Sequence, residues 1–235
     1  MCRVQNYPLF VLLLFCSLIA LAGAFIVPEN ASAGTVTDID GNVYQTVIIG
    51  TQIWMAENLK VTHYRNGDAI IYMPDRITWT MITTGAYCHY NNDPNVVATF
   101  GRLYNWYAVI NSRNIAPDGW HIPSDAEWQT LSNYLGGDGV AGGKMKEAGT
   151  THWLSPNAGA TNESGFTGLP GGYRSTDGYY YNLGGSAEFW SSTQSASSSA
   201  FNRRLRYETP VVRSEERRVG KECLRLCRSR WSPYH

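Results

Sequence analysis

Within GWHIPSDAEWQTL (119–131), His121, Asp125 and Glu127 stand within seven positions, flanked by Trp120 and Trp128. An imidazole beside two carboxylates is the raw material of general acid–base catalysis. The same letters also spell a helix start. Ser124 and Glu127 form S-x-x-E, a capping box in which each side chain takes a backbone amide of the other residue. Asp125 in the first turn meets the positive end of the helix dipole. Trp128, Leu131 and Leu135 then recur on one face, and Gly136-Gly137 stops the helix. The spacing therefore predicts scaffolding, with His121 a packed or surface histidine. A hydrolase would need the three groups to converge, and groups at a helix start diverge.

Other segments invite chemistry and fail on context. Gly137, Gly139 and Gly142 fit G-x-G-x-x-G, but the dinucleotide fingerprint follows a strand and this run follows a helix. Gly143-Lys144 resembles the end of a phosphate loop. Asp138 occupies the position of its first glycine, and Met145 that of its Ser or Thr. A short helix is expected over 143–148. Asp38 and Asp40 lack the further oxygen ligands of a calcium loop. Asp40-Gly41-Asn42 is instead a hairpin turn between strands at 36–39 and 43–49. Ser155-Pro156-Asn157 lacks the leading carboxylate or amide of a calcium-dependent sugar motif. No metal and no cofactor are expected.

Those residues must be positioned by short elements. Turn signals at 66–68, 74 and 91–94 divide 60–99 into short strands and loops. Leu103, Trp106, Tyr107 and Ile110 predict one helical face over 100–112. Phe189-Trp190 and 201–207 read as strands, with turns at Gly171-Gly172 and Thr176–Gly178. The expectation is a single α+β domain with two longer helices and short, irregular antiparallel strands.

The 235 residues carry balanced charge, but residues 34–212 sum to −4, with no cation cluster that would favour nucleic acid. Residues 9–27 are uncharged and apolar and are followed by Ala31-Ser32-Ala33. This reads as a secretory signal peptide over 1–33, cleaved after Ala33, with Ala24 as the alternative site. Retention as a membrane anchor is the competing reading. Cys2 and Cys16 lie in the leader and Cys223 and Cys227 in a basic tail, which leaves Cys88 in the middle. A lone thiol is unusual in an exported chain.

Four segments, in order, carry a family resemblance: DIDGNVYQTVIIGTQIWMAENL, GRLYNWYAV, APDGWHIPSDAEW and GFTGLPGGYRS, followed by FWSST. Together they resemble the Fibrobacter succinogenes major paralogous domain family and cover nearly all of 36–193. The resemblance implies a C-type lectin-like fold shared with the formylglycine-generating sulfatase-modifying enzymes, whose LPTEAEW-type segment IPSDAEW is similar to. It implies an exported, often surface-attached domain with no assigned catalytic residues. Family members end on a strand like GFSVRCV, whose cysteine is implied to pair with the one matching Cys88. Here the pattern fades after 201–209, so the domain is read as 34–212 without its terminal strand, Cys88 having lost its partner. The tail, 213–235, opens with RSEERRVGKEC, which looks like the translation of a sequencing-adapter oligonucleotide. A real basic tail for acidic partners is the alternative. Loss of the closing strand would leave the strand at 36–39 with an open edge.

Two functions follow as expectations. The first is a non-catalytic secreted or cell-surface domain that binds a glycan or another surface protein, reaching the membrane only through an uncleaved leader. Tyr173, Tyr179, Tyr181 and Trp190 supply faces for sugar stacking, and Arg174, Asp177 and Glu188 supply polar partners. The second is a sulfatase-modifying enzyme with reactive cysteines and copper. That chemistry needs thiolates, and the matching region holds no cysteine before the tail. The chain is expected not to be an enzyme.

Overall fold

The computed structural model describes residues 32–218, 223–224, 226 and 229–231, so the leader expected over 1–33 lies almost wholly outside the described residues. The first four strands are β1 (Ser32–Thr37), β2 (Val43–Ile49), β3 (Gln52–Met55) and β4 (Ile71–Tyr72). Helix α1 (Arg76–Met81) precedes β5 (Ala86–Cys88), and α2 (Val97–Phe100) precedes β6 (Leu103–Asn105). Helices α3 (Trp106–Val109), α4 (Asp125–Tyr134) and α5 (Asp138–Met145) follow. The chain then runs through β7 (Gly171–Arg174), β8 (Tyr180–Leu183), β9 (Ser186–Ala196) and β10 (Ser199–Arg206). It closes on β11 (Thr209–Arg218), β12 (Cys223–Leu224) and β13 (Ser229–Trp231). This is an α+β domain, as expected.

The strands form three sheets, ordered β1-β2-β3-β13, β11-β10-β9 and β4-β5-β6-β12-β7-β8. Pairing is antiparallel throughout the named strands except between β4 and β5. The β1–β2 hairpin turns where its chemistry predicts. Gly41 has φ 82°, and Asp38 Oδ1 accepts the amides of Asp40 and Asn42 at 3.0 Å each. Asp38 is thereby spent on a turn, as its spacing suggested.

Helix α4 forms as its letters dictate. Ser124 caps it, and both arms of the capping box are present. Its buried face inserts Trp128 and Leu131 into a core with Trp54, Phe166 and Phe189. Trp54 and Trp128 lie 4.8 Å apart between ring centroids at 43°, and Trp128 stacks on Phe189 at 5.7 Å. Removing such an indole costs about 3–5 kcal/mol.

Two helix expectations are corrected. The segment 100–112 is mostly not helical: residues 103–105 form β6, and α3 spans only 106–109. All three residues of β6 are buried, so the apolar spacing serves two covered sheet faces. Asn105 enforces the switch, since its Oδ1 accepts the Ala108 amide at 3.1 Å and the Ala86 amide at 2.9 Å. The second-longest described helix is instead α5. It lies earlier than the helix expected over 143–148, because its glycines are contact points. A Cβ on Gly143 would lie 2.3 Å from the Gly159 carbonyl oxygen, and one on Gly142 would lie 2.7 Å from that of Pro210. The glycine run packs α5 against β11. Beyond it, the buried Lys146 ammonium donates to the carbonyls of Ala158, Arg206 and Thr209 at 2.9, 3.0 and 3.1 Å.

The domain boundary read at 212 falls inside β11. Residues 213–218 continue that strand opposite β10, and β12 enters the six-stranded sheet between β6 and β7. Strand β13 pairs with β3, and β1 stands at the edge of its sheet.

Candidate functional site

The β7–β8 hairpin gathers most of the residues expected to meet a ligand. Tyr173 and Tyr181 face each other across the two strands, with ring centroids 5.7 Å apart at 31°. The turn between them is tied by Ser175 and Tyr179, whose backbone groups bond at 2.9 Å, and by Gly178 at φ 82°. Asp177 sits at its tip. One carboxylate oxygen accepts the Tyr179 amide at 2.9 Å, and the other accepts the Tyr181 hydroxyl at 2.8 Å. Slight burial pushes the Asp177 carboxyl upward, but these bonds outweigh it and hold the group below its usual range. The same bond pushes the Tyr181 hydroxyl up.

Cations complete the hairpin. The Arg76 guanidinium lies over the Tyr179 ring at 4.7 Å, and that of Arg217 lies over Tyr173 at 4.9 Å. Gly178 permits the first contact, since a Cβ there would lie 2.6 Å from Arg76 Cγ. Tyr179 is 52 % exposed and Tyr181 39 % exposed. Tyr179 and Tyr181 thus face solvent with a carboxylate beside them, while Tyr173 is partly buried against the core.

Three expected site residues belong to the interior. Arg174 is fully buried and donates to the carbonyls of Gly178, Met73 and Pro74 at 3.0, 2.7 and 3.0 Å. Its guanidinium also lies between the rings of Trp79 and Tyr180 at 4.6 and 4.9 Å. It clamps the hairpin to the segment before α1. Glu188 is fully buried between Arg204 and Arg217, 3.1 Å from each. Burial pushes its carboxyl up, against the pull of the two arginines. Trp190 is fully buried and donates its indole N–H to the Tyr104 carbonyl at 3.0 Å. None of the three presents a group to a surface ligand.

A second aromatic group was missed. At the other end of the same sheet, Tyr72 lies 5.4 Å from Tyr87 and 4.9 Å from His89 between ring centroids. Register pairs run from Tyr72 to Tyr87 and from Tyr87 to Tyr104, so these side chains share one face. The alternation Tyr87-x-His89 is the signal that could have found it. Cys88, between them, points the other way into a cluster with Trp79, Ala86, Tyr90 and Leu103.

His121 and Glu127 do meet, in an order unsuited to hydrolysis, while Asp125 turns to another partner. His121 Nε2 is 2.5 Å from one oxygen of Glu127, whose other oxygen accepts the Ser124 amide at 2.7 Å and hydroxyl at 2.8 Å. The carboxylate thus stands between the imidazole and the hydroxyl. A serine nucleophile needs the imidazole in that middle place. Burial works to raise the Glu127 carboxyl, yet the bonds from His121 and Ser124 bring it down to about 2. Asp125 pairs at 2.5 Å with Arg203, itself 1 % exposed, which ties the start of α4 to β10. Among the described residues no group of His, Cys, Asp and Glu converges as a metal site, and no helix is long and apolar enough to cross a membrane. Asn157 spends its amide on the carbonyls of Glu147 and Gly149.

The family described as Fibrobacter succinogenes major domain matches residues 47–225 of the chain. Comparison with curated proteins and with solved structures gave no match.

Proposed function

Because the chain belongs to the Fibrobacter succinogenes major domain family, we propose that it is an exported, non-catalytic binding domain of lectin-like architecture whose ligand is a carbohydrate. The observation that carries this reading is the exposed Tyr181 ring, held beside the partly buried Tyr173 with its hydroxyl bonded to Asp177. Sugars present an apolar face of C–H groups and a rim of hydroxyls. A held aromatic face with an adjacent carboxylate complements both. Asp177 uses its two oxygens to orient the rings and keeps lone pairs for ligand hydroxyls. Holding the rings before a ligand arrives lowers the ordering cost of binding. The test is a glycan-binding screen of the purified domain with Tyr179→Ala and Tyr181→Ala. Binding weakened tenfold or more by both substitutions is the expected result. Absence of any bound glycan, or binding untouched by both variants, retires the site.

A further inference from the structure

A separate cavity of about 420 Å³ opens between β4, the segment before β5, and the turn after α3. That size lies within the ordinary range of small-molecule sites, roughly 300–1,000 Å³. Its apolar surface comes from Ala69, Ile71, Ile110 and the Tyr64 ring. Ile71 and Ile110 are 46 % and 47 % exposed, so this surface faces outward. Gly85 lets Tyr64 and α3 pack closely beneath the cavity: a Cβ there would lie 2.0 Å from the Tyr64 hydroxyl and 3.0 Å from Ala108 Cα. Its backbone does not require glycine. The requirement is space.

The polar groups around this floor are of one kind. Thr83, Thr84, Tyr107 and Asn111 line the cavity, and the three hydroxyls and the Asn111 amide nitrogen make no hydrogen bond among the described residues. Arg113 also lines it, but its charge is committed. Its Nη1 pairs with Asp68 at 3.1 Å, its Nε donates to Asn111 at 3.0 Å, and its guanidinium lies over the Tyr64 ring at 4.1 Å. No carboxylate lines the cavity. The lining therefore offers a cation no anion, and an anion only a cation already paired. It offers neutral donors and acceptors around an apolar floor.

We propose that this cavity binds a neutral saccharide unit, its apolar face on Ile71 and Ile110 and its hydroxyls on Thr83, Thr84, Tyr107 and Asn111. The site is independent of the β7–β8 hairpin and stands or falls separately from it. A concave site takes a sugar ring from several sides, whereas the hairpin offers one flat face.

The test is ligand-observed saturation-transfer NMR on the full domain. The probes are the methyl α- and β-glycosides of glucose, galactose and mannose, and N-acetylglucosamine, with glucuronate as an anionic comparison. Saturation transfer to at least one neutral probe at millimolar concentration is expected. In a Tyr181→Ala background, which removes any share of the hairpin, this transfer persists, and it falls at least tenfold when Ile110→Glu is added. Melting curves establish that Ile110→Glu, at an exposed position, remains folded. Threonine and tyrosine hydroxyls are then removed by Thr84→Val and Tyr107→Phe, each expected to weaken binding. Transfer to none of the neutral probes, preference for glucuronate, or equal transfer with and without Ile110→Glu in that folded background overturns the assignment. Transfer that Tyr181→Ala abolishes assigns the binding to the hairpin and overturns it equally.

Discussion

His121 Nε2 lies 2.5 Å from Glu127 Oε1, while the opposite oxygen of the same carboxylate caps α4 through Ser124. One buried carboxylate thus holds together a helix start and the loop before it. The pair makes the beginning of α4 sensitive to acid, and the sign follows from the shift. Glu127 titrates at about 2 when folded against an ordinary 4.5. Its contribution is complete above the unfolded value and is lost as pH falls through about 2. A shift of that size corresponds to at most about 3 kcal/mol, less after the solvent screening of the half-exposed His121. Denaturant midpoints measured from neutral pH down to about pH 2 should fall steeply in the native domain and more shallowly in Glu127→Gln. Parallel curves would remove Glu127 from the acid response.

Asp125 gives a second prediction through a different partner. Arg203 is 1 % exposed and Asp125 is its anion. Asp125→Asn leaves a buried guanidinium with the Ser214 hydroxyl and a backbone carbonyl. The expected cost is about 2–3 kcal/mol, at the low end for a broken buried pair because Asp125 itself reaches water. Chemical denaturation measures it. A cost under about 0.5 kcal/mol would place the pair among ordinary surface bridges.

At the hairpin, Tyr181→Phe separates the ring from its hydroxyl. The substitution keeps the face opposite Tyr173 and deletes the 2.8 Å bond to Asp177. Stability should stay within about 0.5 kcal/mol, as for most exposed changes. Glycan affinity should fall severalfold, less than in Tyr181→Ala. Equal losses in both variants would mean that the ring alone contributes nothing.

The fourth prediction concerns the gene. Strand β12 fills a place between β6 and β7 with Leu224 fully buried in it, and Leu226 is fully buried just beyond its end. Any sequence in that place must alternate apolar residues to cover the sheet. If 213–235 is adapter translation, the genomic 3′ end will encode a different segment with this alternation. Finding the codons for RSEERRVGKEC in intact genomic DNA would end that reading.

The sequence was most legible where local chemistry acts alone. The Ser124–Glu127 capping box and the Asp38–Asn42 turn need only neighbours, and both formed as their letters predict. It was least legible where both faces of a strand are covered. Residues 186–191 are buried without interruption, so period two carries no sign of which side meets water. Glu188 and Trp190 were consequently placed at a surface they do not reach. Arg174 misled for another reason. Its cation is satisfied by backbone carbonyls from β7's own turn and from 100 residues earlier, and no local pattern encodes that meeting. The helix expected over 100–112 failed because Asn105 diverts the chain into β6.

The packing of Trp54 against Trp128 has an optical consequence. Two indoles 4.8 Å apart and inclined at 43° couple their electronic transitions, so the pair should produce an exciton couplet in circular dichroism. The couplet depends on β3 and α4 staying in register, and it should vanish when either moves. The native chain thus carries its own chromophore for the contact between that strand and that helix, readable without a label and separate from the tyrosine signals of the hairpin.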